Sequence, residues 1–193
     1  MNRKLLDGAA ALWADNVRTP AVLGEALGKA RGEGERSEES LAKLVHEACG
    51  LALLGAKDAG VDVRYNVDPH LDRVMVDRIQ IQQVIVNLVR NALDAMQEQP
   101  RRILTVSTSV RDGMAAVTVA DTGPGLDPAA AERLFQPFVT TKASGMGVGL
   151  SISRTIVEAH GGRIWVEPTS AEGAVFHFTV PLAHDAESMP EHK

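Results

Sequence analysis

Three glycines within five residues, Gly145, Gly147 and Gly149, stand directly before a stretch whose apolar spacing is helical. Glycine lets the main chain approach another group closely, and a helix start offers N–H groups and a favourable dipole to an anion. The residues leading in are Phe135-Gln136-Pro137-Phe138-Val139-Thr140-Thr141-Lys142, an apolar anchor followed by a cationic loop tip. Residues 135–150 therefore read as a phosphate-binding lid. Phe135 and Phe138 would pin it to an apolar surface, and Lys142 would reach a terminal phosphate. The connection running from the Asp121 turn to these glycines holds only one short helix, and connections that long are uncommon unless they serve as lids or are disordered.

Other glycine-loop folds do not fit. Leu150 stands where a GxGxxG motif needs its third glycine, and no strand immediately precedes the loop. No GxxxxGK[ST] occurs in the chain, which argues against a Walker-type ATPase.

A chain of 193 residues suits one domain plus an appendage, and a hydrophobic fraction of 45% is ample for a core. Aromatics at 4% make that core mostly Val, Leu, Ile and Ala. A formal charge of -5 argues against a nucleic-acid-binding face or a basic membrane anchor. Cys49 is the only cysteine, so neither an intrachain disulfide nor a CxxC metal site can form. No apolar run is long enough to span a bilayer and no signal-peptide pattern follows Met1. The expected location is cytoplasmic.

Residues 1–38 read as a helical appendage and linker, residues 39–183 as the folded domain, and residues 184–193 as a disordered tail. In the appendage, 2–16 and 21–31 suggest short helices, and 32–40 a polar linker. Helical spacing follows over 38–60, and alternation predicts a strand over 61–67. The strongest helix runs over 77–97. Strands over 103–110 and 115–120 are split by a turn at Asp112-Gly113, and a short helix is expected over 127–134. A helix over 148–160 is stopped by Gly161-Gly162, and strands over 163–167 and 174–181 close the chain. This pattern predicts an α+β two-layer sandwich, one mixed sheet with helices on one face, its strands running in hairpins.

In the 77–97 helix, Ile81, Val84, Ile85, Leu88, Ala92 and Met96 form the apolar stripe. Asn87, Asn91 and Asp94 lie on a different face, because steps of four and three residues return nearly to the same angle. Mid-helix asparagine is not a strong helix former, so the pair invites a functional reading. Magnesium fits: a hard cation takes oxygen ligands, and neutral amides add no repulsion against a triphosphate. A solvated polar face is the bland alternative. The strand over 115–120 runs into Asp121-Thr122-Gly123-Pro124-Gly125, where a buried carboxylate could accept from an exocyclic amine while the glycines turn the loop. An ordinary Asp/Gly/Pro turn would look the same.

Taken in this order, the motifs resemble the ATP-binding catalytic domain of sensor histidine kinases, within the GHKL or Bergerat superfamily of gyrase, chaperone, kinase and mismatch-repair ATPases. Asn87-Leu88-Val89-Arg90-Asn91-Ala92 is similar to its asparagine box, Asp121-Thr122-Gly123-Pro124-Gly125 to its first glycine box, and 134–138 to its phenylalanine box. Gly145-Met146-Gly147-Val148-Gly149-Leu150 is similar to its second glycine box, and Gly173 to the glycine just ahead of the last strand. The wording of Arg90-Asn91-Ala92-Leu93-Asp94-Ala95-Met96, Thr140-Thr141-Lys142 and 157–162 is most similar to the oxygen-sensing nitrogen-fixation and nitrogen-regulatory kinases. The resemblance implies ATP and Mg2+ as ligands, Asn91 as principal magnesium ligand and Asn87 near phosphates and metal. It implies Asp121 on the adenine amine, Gly123 and Gly125 shaping the adenine pocket, and Asp94, Phe135, Phe138 and Thr141 lining the site. Lys142 and Gly145 through Leu150 would surround the phosphates. It also implies two protein partners, a histidine-bearing helical dimerisation domain and a response regulator, and leaves a homodimer open.

One departure stands out. Such kinases carry a phosphoacceptor histidine followed by an acidic residue on a separate helical hairpin. Here His46-Glu47 is the only such pair ahead of the asparagine box, and it lies on the helix leading into the first strand; it reads as an incidental helix-surface pair. Three readings follow: a histidine-kinase catalytic core acting on a histidine not evident in the chain, a non-catalytic ATP-binding regulatory module, or another ATPase of the superfamily. The last needs a further domain for which there is no room.

Overall fold

The computed structural model describes residues 35–54, 60–71, 73–127, 131, 133–139, 147–168 and 173–183. The expected appendage helices, the tail, and residues 128–130 and 132 of the short helix expected over 127–134 lie outside these residues.

The chain enters as β1 (Ser37–Ser40), then α1 (Leu41–Leu53), β2 (Asp62–Asn66) and β3 (Arg73–Val76). α2 (Arg78–Ala95), β4 (Ile103–Arg111), β5 (Met114–Ala120), α3 (Gly149–Ala159), β6 (Ile164–Pro168) and β7 (Ala174–Val180) follow. Five strands form one mixed sheet in the order β2-β4-β5-β7-β6, antiparallel except where β2 runs parallel to β4.

Period-two alternation decides which side of the sheet is covered. Leu104 and Val106 of β4, Val117 and Val119 of β5, and Phe176 and Phe178 of β7 are buried together with the apolar stripes of α1 and α2. On the other side of the sheet, register aligns Ser107, Thr118, His177 and Trp165 across four strands. The α+β two-layer arrangement read from the sequence is the observed one.

Local chemistry sets the element ends. Asp77 starts α2, its Oδ1 accepting from the N–H groups of Ile79 and Gln80 at 2.8 and 3.0 Å. Ser40 caps α1 in the same manner. Gly161, at φ 78°, ends α3, and the Gly162 N–H turns back to the Val157 carbonyl at 3.0 Å. Asp112 and Gly113 both take positive φ, as a tight β4–β5 hairpin requires.

Three features depart from the sequence reading, the first being β3, a strand where no element is expected. Ser37–Ser40, expected as linker and helix start, is a strand paired antiparallel with β3 in a second, two-stranded sheet. Its carboxylates explain part of this: Glu39 pairs with Arg78 at the start of α2, and Glu38 with Arg73. Likewise β2 does not join a hairpin partner but aligns beside β4, so the sheet is only partly built of hairpins.

Candidate functional site

α2 forms one wall of the site. Ile81, Val84, Ile85, Leu88, Ala92 and Met96 are all buried, as the spacing predicts. Asn87 and Asn91 sit at the half-buried margin of the helix and Asp94 is exposed. The Asn87 amide nitrogen donates to the Ser153 hydroxyl of α3 at 2.9 Å, so its oxygen is the atom turned toward Gly149. A Cβ on Gly149 would stand 2.6 Å from that oxygen, so glycine is what allows α3 to begin against the asparagine face.

The far end of the same helix meets the Asp121 turn. A Cβ on Gly123 would fall 3.0 Å from the Ala95 Cβ and 2.8 Å from Asp121 Oδ1. The two glycine elements thus lean on α2 eight residues apart, about 12 Å along the axis, with Asn91 and Asp94 between them.

Asp121 is 6% exposed and follows directly on β5. Its Oδ1 accepts from the N–H groups of Gly123 at 2.8 Å and Ala174 at 3.3 Å. Burial pushes its carboxyl above the ordinary range, and the two backbone donors only partly oppose this. Thr122 fixes the turn from the other side, accepting from the Ile103 N–H and donating to the Arg101 carbonyl. Gly125 takes φ 81° and completes the bend.

Thr141, Lys142, Gly145 and Met146 lie outside the described residues. The chain on either side of them is drawn together: the Phe138 N–H donates to the Gly147 carbonyl at 2.9 Å. Gly147, at φ 66°, packs so closely there that a Cβ would meet Val139 O at 2.7 Å. Val148 is buried, Leu150 packs partly against the core, and among the described residues no side chain caps the start of α3.

The two phenylalanines separate. Phe135 packs against the core beside buried Leu134, as a pinning residue should. Phe138 does not: it is 73% exposed, because a left-handed backbone at φ 66° directs its N–H to Gly147 and its ring outward.

His46 is exposed on α1 and packs at a tilt of 45° against Tyr65, ring centroids 4.7 Å apart. Glu47 is held by Arg78 and by Gln82. The pair serves packing between elements of the domain, consistent with its reading as incidental.

Ser153 was not anticipated as a site residue. A serine on the otherwise apolar face of α3, one turn after Gly149, was the available signal, but its partner is 66 positions away.

Known proteins resemble this chain in sequence and fold. The model of the histidine kinase-, DNA gyrase B-, and HSP90-like ATPase family matches residues 76–184. The sensor protein FixL of Bradyrhizobium diazoefficiens is 53% identical over 157 residues, covering 81% of this chain and 31% of that protein. The C4-dicarboxylate transport sensor protein DctS of Rhodobacter capsulatus is 38% identical over 147 residues, covering 75% of this chain and 22% of its own length. Among solved structures, the catalytic domain of the histidine kinase ThkA superposes with a TM-score of 0.69 at 35% identity, covering 77% of this chain and 96% of that one. Full-length ShkA in complex with AMPPNP gives 0.74 at 29% identity, covering 84% of this chain and 34% of that one. The chain thus spans less than a third of the length of FixL and of DctS. It belongs to the histidine kinase-, DNA gyrase B-, and HSP90-like ATPase family, as an ATP-binding catalytic domain of the sensor histidine kinase type.

Proposed function

We propose that the domain binds magnesium-ATP along α2 and presents the γ-phosphate to a histidine carried on a separate helical segment, from which a response regulator takes it. The carrying observation is the pair of glycine contacts on one helix, Gly123 at Ala95 and Gly149 at Asn87. Between them lies the stretch of α2 that carries Asn91 and Asp94, with the buried Asp121 carboxylate at one end and the Asn87 amide at the other.

Asp121 would read the adenine amine. Both of its backbone donors reach Oδ1, and among the described residues Oδ2 has no protein donor. Asn91 and Asn87 would hold the metal. The donor chemistry fits a hard cation, since Ser153 takes the Asn87 nitrogen and leaves its oxygen on the side of Gly149. Magnesium would supply charge neutralisation at the phosphates. Gly147 and Gly149 permit the close main-chain approach, and the uncapped start of α3 offers N–H groups to an anion. Lys142 remains a sequence-based assignment to the terminal phosphate. Catalysis of this kind is positioning and electrostatics rather than covalent chemistry. ATP as ligand also favours the cytoplasm as the working location.

Radiolabelled ATP mixed with the chain and an isolated acceptor hairpin of a sensor kinase tests the reading. Acid-labile label on the hairpin is the expected result. Calorimetric ATP binding without transfer would instead favour a regulatory module.

A further inference from the structure

His160 stands where α3 ends and is 2% exposed. Its Nε2 accepts from the main-chain N–H of Asp77 at 3.0 Å, so its Nδ1 carries the proton and donates to the Ile156 carbonyl at 2.7 Å. Asp77 is itself the cap of α2, its carboxylate holding the first N–H groups of that helix. One imidazole therefore joins the last turn of α3 to the first residue of α2. Farther along, the same two helices are joined again by Asn87 and Ser153.

We propose that His160 is a positioning residue for the nucleotide site, fixing the angle at which α3 delivers Gly149 to the asparagine face of α2. This rests on the nucleotide reading above. Gly149 lies eleven residues from His160, about 16 Å along the helix, so a tilt of about 5° at the base moves Gly149 by about 1.4 Å. The site has no slack for that, since Gly149 already meets the Asn87 amide where a Cβ would not fit.

Only the neutral imidazole makes both bonds. Protonation would turn an N–H of the ring toward the N–H of Asp77 and break the joint. Among the described residues, Arg36 and Asp77 are the charged groups that act on the ring. Arg36, whose guanidinium donates to the Ala159 carbonyl, opposes protonation, and the Asp77 carboxylate favours it. Burial outweighs both and holds the imidazole below its ordinary range.

The test compares wild type, His160→Gln and His160→Leu by calorimetric titration of the full chain with AMPPNP and magnesium. Glutamine can reproduce one donor and one acceptor without titrating, whereas leucine supplies neither. At about pH 7.5 the leucine variant should bind on the order of tenfold more weakly and the glutamine variant within about threefold of wild type. Between about pH 7.5 and 5.5 wild type should lose more affinity than His160→Gln, the titration of the nucleotide being common to both. A folded His160→Leu that binds like wild type would overturn the proposal. So would identical pH profiles for wild type and His160→Gln, a comparison that decides the matter if the leucine variant does not fold. Failure of wild type to bind at any pH would instead remove the nucleotide reading, and the proposal with it.

Discussion

A Cβ on Gly173 would lie 1.8 Å from the main-chain oxygen of Asp121. Gly173 takes φ +100°, outside the range an L side chain adopts easily, and the next residue donates its N–H to the Asp121 carboxylate. The glycine before β7 is thus what lets that strand press against Asp121.

Gly173→Ala should therefore damage both the fold and the site. A destabilisation of about 2–4 kcal/mol is expected from strain plus overlap, read from urea unfolding. Unchanged stability would mean that the loop relaxes freely, and would detach Gly173 from Asp121.

Asp121→Asn separates stability from function. The carboxyl is raised above its unfolded value of 3.8, so the folded chain holds its proton more tightly than the unfolded one. That stabilisation is fully present below about pH 3.8 and is lost as pH rises through the folded value. At neutral pH the ligand-free domain therefore carries a charge it disfavours. Asparagine removes that charge while keeping an oxygen for Gly123 and Ala174, so the ligand-free melting temperature should rise. Adenine-nucleotide affinity should fall about ten- to a hundredfold. Calorimetry against adenine and guanine nucleotides checks the second half, since equal weakening of both would point to a general disturbance.

Asn91→Ala should abolish magnesium-dependent ATP binding with little change in melting temperature, because the buried stripe of α2 lies on another face. Titrations with magnesium and with EDTA make the comparison. Undiminished affinity in magnesium would strip Asn91 of its metal role.

His177 gives a pH signature on the opposite side of the sheet. It is buried between Thr118, whose hydroxyl meets Nδ1 at 2.9 Å, and Trp165, stacked at 5.0 Å. Burial lowers its pKa from 6.5 despite Glu167 nearby. The unfolded chain thus takes up the proton first, so stability is present above pH 6.5 and declines as pH falls below it. Urea midpoints measured from neutral pH to about pH 5 should fall less steeply in His177→Gln than in wild type; parallel slopes would show that His177 contributes nothing to the decline.

What could be read from sequence follows the range of the interactions involved. The stripe of α2, the Asp121 turn and the Gly161 stop are local, each set by spacing or by one residue's backbone freedom, and each was legible. Ser37–Ser40 was not, because Ser-Glu-Glu-Ser shows no alternation and becomes a strand only through β3 and Arg78. The outward ring of Phe138 follows from a left-handed backbone that nothing in Phe-Gln-Pro-Phe announces. The bond from Asn87 to Ser153, and that from Asp77 to His160, join positions far apart in the chain. They exist only once the helices have docked.

The parallel pairing of β2 with β4 has a kinetic consequence. Asp62 lies opposite Ile103, so this edge closes a stretch of about forty residues that includes all of α2. The β4–β5 hairpin can zip from its own turn, but the β2 edge must wait for the intervening helix to settle. A refolding chain should acquire its asparagine-bearing wall before its outer border, and any slow phase should report on that last strand.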